Sequence, residues 1–448
     1  MERSSYSPQG EWANSPERQS RRIVVTGISL ITPLGIDTKT TWENIIASRS
    51  GFRSFDLNEL ARNSNYPEQD TPDTKIEASV AGIIDIDVKK ELGEYGIKKN
   101  LHKMSRSTQL SLLASTQALT EAGLLENGEI RCIPNPARFG VRIGTLLGGT
   151  HHLINVHSRI QRGLRPMPSD VLIAGPERIS SVPSMAFGAM GPVETPVAAC
   201  ATGSLAIIGG AQDIFEGDAD IMLVGGVDAP IHPDELSMYD ILPALSREKD
   251  PNLASRPFDK SRDGFVMAEG AGVLVLESEE HAKKRGAKIL AVFSGYGKAS
   301  DADHDTRPNG RGAKIALDIA IRRAGLPDSG ILYYNAHGTG TIKGDDIEVE
   351  AFLEVFGSLP QKPDFAISST KSSMGHTRGA SGAIEAGIAI LALNSNTLPP
   401  TLHLENPIDE ASCVNLVPND AQAKKVGIVY SGNFGFGGMG AVVAFEKP

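Results

Sequence analysis

Short continuous apolar runs along the chain alternate with segments whose apolar residues recur at helical spacing. The runs over 22–27, 139–147, 219–226 and 270–277 read as buried strands. Those over 288–296, 331–336, 365–369, 425–431 and 440–446 read the same way further on. Helical spacing marks 41–47, 110–122, 312–324, 346–356 and 382–393. Such alternation predicts parallel sheets covered by helices. The order is used twice. In each cycle a strand enters a small-residue helix, a second strand ends in glycines, and an apolar strand closes on a glutamate. Ala271-Gly-Val-Leu-Val-Leu-Glu277 and Gly440-Ala-Val-Val-Ala-Phe-Glu446 are the two closing strands. A doubled unit argues against a barrel of eight equal ones. Residues 1–20 are polar and read as a disordered tail, 21–286 as a first half and 287–448 as a second. Residues 53–75, polar and proline-bearing, read as a surface excursion.

The chain is organised about Thr195-Pro-Val-Ala-Ala-Cys-Ala-Thr-Gly-Ser204. Its first half reads as a short buried strand. Beyond Cys200, Leu205, Ile208, Ala211, Ile214 and Phe215 fall at helical spacing, so the thiol sits where a strand turns into a helix. The small neighbours Ala198, Ala199, Ala201 and Gly203 let another backbone or a substrate come close. Free N–H groups and the positive helix end favour thiolate over thiol, and the thiolate is the nucleophile. A lone cysteine is more often a buried small hydrophobe, so other residues must decide.

Three further strand ends supply them. Asn335-Ala-His337-Gly-Thr339-Gly-Thr341 follows one apolar strand. Ser369-Thr-Lys371-Ser-Ser-Met-Gly-His376 follows another and leads into a helix bearing Glu385. Gly432-Asn433-Phe-Gly-Phe436-Gly-Gly438 follows the third. Each alone is weak, because titratable side chains are usually just exposed. Four strand ends bringing a thiol, two imidazoles, a lysine and open backbone N–H groups describe a site, since ligands gather at the carboxyl ends of strands in open α/β sheets.

Composition narrows the rest. The 448 residues, 40% hydrophobic, can bury a large core. A net charge of −10 argues against nucleic acid or an anionic membrane as partner. No apolar run approaches the roughly 20 residues that span a bilayer. Cys132, Cys200 and Cys413 are far apart, which suggests neither a disulfide framework nor a metal site and suits a reducing cytoplasm.

With the Cys, His-Gly-Thr-x-Thr, Lys-x-x-x-Gly-His and Gly-Phe-Gly-Gly motifs in this order, and with Ser255 to Gly270 matching too, the sequence resembles the β-ketoacyl-[acyl-carrier-protein] synthases. It is most similar to the elongating type II enzymes of fatty acid synthesis and their polyketide relatives, and the resemblance runs from 21 to 447. It implies a thiolase-like α/β fold: duplicated, five-layered α-β-α-β-α, with two mixed sheets. It also implies roles. Cys200 takes the acyl chain as a thioester, with the Cys200 and Phe436 backbone N–H groups as the oxyanion hole. His337 and His376 hold the malonyl carbonyl while CO2 leaves. Lys371 and Glu385 fix the histidines and the local charge. Thr339 and Thr341 bind the pantetheine arm, Phe436 gates the acyl pocket, and Leu147 and Tyr239 line it. Lys99, His102 and Lys103 dock an acidic acyl carrier protein, although on charge alone they read equally as a solvated helix face. No cofactor or metal is implied, since phosphopantetheine arrives on the carrier. A homodimer is implied, a heterodimer being the variant.

Three departures bear on specificity. Asn433 and Met439-Gly440 flank the glycine motif where Ser and Thr-Asn are usual. Pro243 stands where a docking Arg is common, and Tyr239 where Phe is common. The run 165–179 fits the usual pattern poorly. These leave the chemistry in place, with fatty acid and polyketide elongation both open. A thiolase-like acyltransferase would need a second cysteine near the C-terminus; the loop 434–438 has none, and Cys413 lies too early. A non-catalytic chain-length subunit usually lacks the nucleophile, which this chain keeps.

Overall fold

The apolar runs become the strands of a sheet in which the two cycles repeat one another. In the computed structural model, which describes residues 21–56, 60, 76–98, 100–242, 244–359, 363–411 and 414–448, the first half contributes β1 (Ile23–Ile31), β2 (Phe139–Gly144), β3 (Val193–Glu194), β4 (Ile221–Asp228) and β5 (Gly270–Ser278). The second contributes β6 (Ala291–Ser300), β7 (Ile331–Asn335), β8 (Phe365–Ser368), β9 (Val426–Phe434) and β10 (Met439–Glu446). The spatial order is β3-β2-β4-β5-β1-β6-β10-β9-β7-β8. Numbered within its own half, each set of five therefore runs 3-2-4-5-1. β3, β2 and β4 are parallel, as are β8, β7 and β9. The remaining neighbours are antiparallel. Where two mixed sheets were expected, the two mixed halves run on into one ten-stranded sheet. The joint is short: β1 meets β6 through Val24↔Val292 and Val25↔Ala291.

Eight helices matter to the site and its layers: α1 (Arg106–Glu121), α2 (Thr150–Gln161), α3 (Arg178–Phe187), α4 (Thr202–Glu216), α5 (Pro233–Asp240), α6 (Arg311–Ala324), α7 (Ile342–Gly357) and α8 (Ser381–Ser395). α4 and α8 fill the middle layer. Ile207 and Ile214 of α4 and Ile384 and Ile388 of α8 share one core with Leu276 of β5 and Phe445 of β10. α1 and α3 cover the outer face of the first half, and α6 and α7 that of the second. The result is the five-layered order. Being covered on both sides explains why β1 and β5 are buried along all nine residues. It also explains α8, which is buried on every side from Ser381 to Ile390.

The central helices cross closely. A Cβ on Gly203 would meet Ala383 N at 2.6 Å, and one on Gly382 would meet Ser204 Oγ at 2.3 Å. The small residues after Cys200 thus admit the other half's helix.

The strand expected over 195–199 does not form. Only Val193–Glu194 pairs, with β2. Pro196 has no N–H to give a ladder. The Ala198 N–H is taken by Thr202 Oγ1 at 2.8 Å, and Ala199 turns into the left-handed region at φ 47°. The poorly fitting run 165–179 holds a short helix, Asp170–Ala174, whose buried Asp170 faces His152 at 3.0 Å and Arg159 at 3.2 Å. The tail 1–20, most of 57–75, Lys99, Pro243 and Cys413 lie outside the described residues. Among those described, no helix is long and apolar enough to cross a membrane.

Candidate active site

Cys200 precedes the first turn of α4, in a bend stapled by Thr202, whose hydroxyl also donates to Ala199 O at 2.7 Å. The thiol opens on a cavity of about 300 Å³ that His337, His376, Tyr239, Arg378 and Phe436 also line. The Cys200 Sγ and one ring nitrogen from each of His337 and His376 lie within 4.8 Å of one another. His376 Nε2 is 3.0 Å from Sγ. The other nitrogen of His376 faces the Arg378 backbone N–H at 3.3 Å and Ser381 Oγ at 2.9 Å. A backbone amide can only donate, so Nδ1 is the acceptor and Nε2 carries the proton toward the sulfur.

His337 lies in the turn just after β7 and is held by a residue the sequence did not single out. Glu348 of α7 accepts the His337 and Gly338 backbone N–H groups, both at 2.7 Å, and the Tyr334 hydroxyl at 2.8 Å. The ring of His337 stands edge-on to that of His376, centroids 5.3 Å apart. Thr339 and Thr341, on the same turn, share a 3.0 Å hydroxyl contact and face the cavity.

Behind the rings lies a buried ion pair, Lys371 Nζ with Glu385 Oε1. Burial pushes the Glu385 carboxyl up to about 7, with Lys371 pulling the other way. Burial, and then the Lys371 charge, hold both imidazoles well below their ordinary value. At neutral pH they are therefore uncharged hydrogen-bond donors. The lysine also sets a positive charge beside the thiol–imidazole triangle.

The thiolate expectation needs correction. Burial pushes the Cys200 thiol up to about 11, against the pull of Arg378 and Lys371. A helix N-terminus contributes on the order of 0.3–1 kcal/mol, less than one pKa unit. Desolvation wins, and the resting group is a thiol.

The glycine loop after β9 closes the site. A Cβ on Gly435 would lie 2.9 Å from Cys200 N, so the chain leading to Phe436 runs directly past the nucleophile's amide. Phe436 is 39% exposed, and its ring stacks on Tyr239 at 6.4 Å. The loop is latched: Gly437 N–H donates to Asp305 O at 2.7 Å, and Asp301 N–H donates to Gly438 O at 3.0 Å. Asp301 in turn caps α6, accepting Gly312 N–H at 2.7 Å.

Of the expected lining residues, Tyr239 is on the cavity wall, but Leu147 is not; its neighbour Leu146 takes that place. His102 and Lys103 are exposed on the turn Leu101–Lys103. Arg378 was missed, although a lone arginine among small buried residues marks it in the sequence.

A cysteine facing two neutral imidazoles across a duplicated, five-layered α/β fold defines a condensing acyltransferase of the thiolase-like class. Residues 20–282 match the N-terminal domain of beta-ketoacyl synthase, and 290–405 match its C-terminal domain. The 3-oxoacyl-[acyl-carrier-protein] synthase 2 of Staphylococcus aureus (strain N315) is 36% identical over 96% of this chain and 99% of its own. A beta-ketoacyl synthase from Burkholderia phymatum STM815 superposes with TM-score 0.83 at 30% identity, covering 96% of this chain and all of that one. The AntDE:AntF assembly, a type II polyketide acyl-carrier protein in complex with its ketosynthase bound to the hexaketide, gives TM-score 0.81 at 28% identity over 96% of this chain and all of that one. The chain belongs to the β-ketoacyl synthase family, whose reaction is decarboxylative condensation in fatty acid or polyketide elongation.

Proposed function

We propose that this chain carries an acyl group on Cys200 and extends it by two carbons from malonyl-acyl-carrier protein. The observation that carries this assignment is the triangle of Sγ and two imidazole nitrogens within 4.8 Å. Sγ attacks the incoming thioester carbon, and the carrier's thiol leaves with the proton. In the malonyl thioester the bond to the carboxylate breaks and CO2 departs. The electron pair left behind delocalises onto the thioester oxygen, where the neutral N–H groups of His337 and His376 receive it. The enolate carbon then attacks the Cys200 thioester and the sulfur leaves as a thiolate, which takes a proton from solvent to regain the resting thiol, giving a 3-oxoacyl carrier thioester. The Cys200 and Phe436 amides serve the tetrahedral oxyanion of each acyl step, and Lys371 with Glu385 keeps the imidazoles uncharged and in place. Thr339 and Thr341 hold the pantetheine arm. No cofactor or metal takes part.

The carrier docks near His102 and Lys103, with Lys99 part of the same basic stretch; the AntDE:AntF complex supports a carrier protein as partner. A homodimer in the cytoplasm belongs to the same reading. Support for the dimer is the apolar exposure on and next to edge strand β3 at Met190, Val193 and Val197.

Mixing the protein with acyl- and malonyl-carrier thioesters and weighing the products tests the assignment. A product two carbons longer is expected, and none from Cys200→Ala. Condensation by that variant would overturn it.

A further inference from the structure

Beside Cys200, the acyl wall of the cavity carries a buried charge. Arg378 is 3% exposed, follows His376 by two residues and sits in the left-handed region at φ 54°. It lines the same cavity as the sulfur. Its guanidinium pairs with Glu235 of α5. One N–H donates to Tyr239 Oη at 3.0 Å, and the group also lies over the Tyr239 ring, 4.7 Å from its centre. The Nε–H has no hydrogen-bond partner among the described residues.

The surroundings fix the sign of what can meet it. Glu235 is itself buried and faces His151 Nε2 at 3.0 Å. His151 stacks on His232 with ring centres 4.1 Å apart. Burial holds both imidazoles below their ordinary value, His232 at about 4, so neither adds positive charge at neutral pH. A second buried carboxylate, Asp228, accepts Thr145 Oγ1–H at 2.7 Å and Gly379 N–H at 2.7 Å. One guanidinium facing two carboxyl groups leaves no surplus positive charge for an anionic substrate. The Nε–H is left without an acceptor among the described residues. A saturated chain laid against it would leave that donor dry and unpaired, which is costly.

Resting on the assignment above, we propose that the acyl group accepted by Cys200 carries an uncharged oxygen near its thioester end, a 3-oxo or 3-hydroxy group, which accepts from Arg378. The saturated chain of the same length is disfavoured at this wall.

The test compares acylation of Cys200, followed by intact mass, using pantetheine thioesters of hexanoate and 3-hydroxyhexanoate. The wild-type protein is expected to load the hydroxy form roughly tenfold or more faster, the discrimination typical of a buried hydrogen bond to a charged donor. The double variant Arg378→Leu/Glu235→Leu, which removes both charges together, is expected to reverse the ratio. Glu235→Gln, which keeps the guanidinium, should preserve it. A structural role alone would slow both thioesters and leave their ratio unmoved. Loading of hexanoate as fast as the hydroxy form by the wild type overturns the proposal, and so does a ratio that survives the double variant. The wild-type comparison decides even if the double variant does not fold. If hexanoate loads well and is then condensed with malonyl-carrier protein, this inference falls while the condensing activity stands. If neither thioester reaches Cys200, both fall.

Discussion

The two halves use one topology for opposite ends of the chemistry. In the first, β3 leads through a strained bend into α4 and delivers a nucleophile. In the second, β8 leads through Lys371 and His376 into α8 and delivers a charge and a donor. Both helices lie in the middle layer, and each has a glycine where the other crosses. The difference lies in what is buried at the helix start. Cys200 faces a cavity and has to be reached by substrate. Lys371 and Glu385 are sealed and have only to stay paired. Duplication supplied two equivalent strand ends, and burial divided them into a reacting end and a holding end.

Separating the ends chemically should have the largest effect. Cys200→Gln is expected to abolish condensation by at least ~1,000-fold while malonyl decarboxylation continues. His337→Ala should cut decarboxylation ~100- to 1,000-fold while Cys200 still takes up the acyl group. Measured CO2 release against acyl-enzyme mass would show the split, and equal loss of both in each variant would dissolve it. Next comes the holding end. Lys371→Met leaves Glu385 buried without its partner and should cost about 3–5 kcal/mol of stability. Adding Glu385→Gln should recover much of it, as read by denaturant unfolding. The smallest effect concerns the reacting end at rest. With the thiol pushed up to about 11, the thiolate fraction rises with pH across the whole range below that value. Alkylation of Cys200 by iodoacetamide should therefore keep accelerating through pH 10. A plateau near the ~8.5 of a free thiol would restore the activated resting thiolate.

The wild-type pH response of stability follows from the holding end too. Glu385 has a raised folded value, so the native state holds more protons than the unfolded chain between about 4.5 and about 7. Its contribution therefore falls as pH rises through that window.

What the sequence made legible were the features written locally. His337, His376 and Phe436 each stand beside a glycine in the turn after a strand, Cys200 and Lys371 sit among small residues where the chain enters a helix, and the apolar runs announced the strands. What it hid was written by distant partners. Glu348 is one acid on an amphipathic helix until the His337 turn folds against it. Arg378 shows its purpose only when α5 brings Glu235 and Tyr239 alongside. The thiolate expectation weighed a local dipole and could not weigh the desolvation supplied by the whole enclosure. The strand expected over 195–199 gave way to a side-chain staple and a left-handed alanine, and the cavity takes Leu146 in place of Leu147.

The tether on the glycine loop has a mechanical consequence. Because Gly437 and Gly438 are tied to Asp305 and Asp301, and Asp301 holds the start of α6, the backbone just beyond Phe436 is fastened to the second half's outer layer. A shift of that backbone would have to break these bonds or draw on the start of α6. Amide exchange at the head of that helix, compared between the free and the acylated protein, would show whether loading the sulfur moves this loop; unchanged protection would show that it stays put.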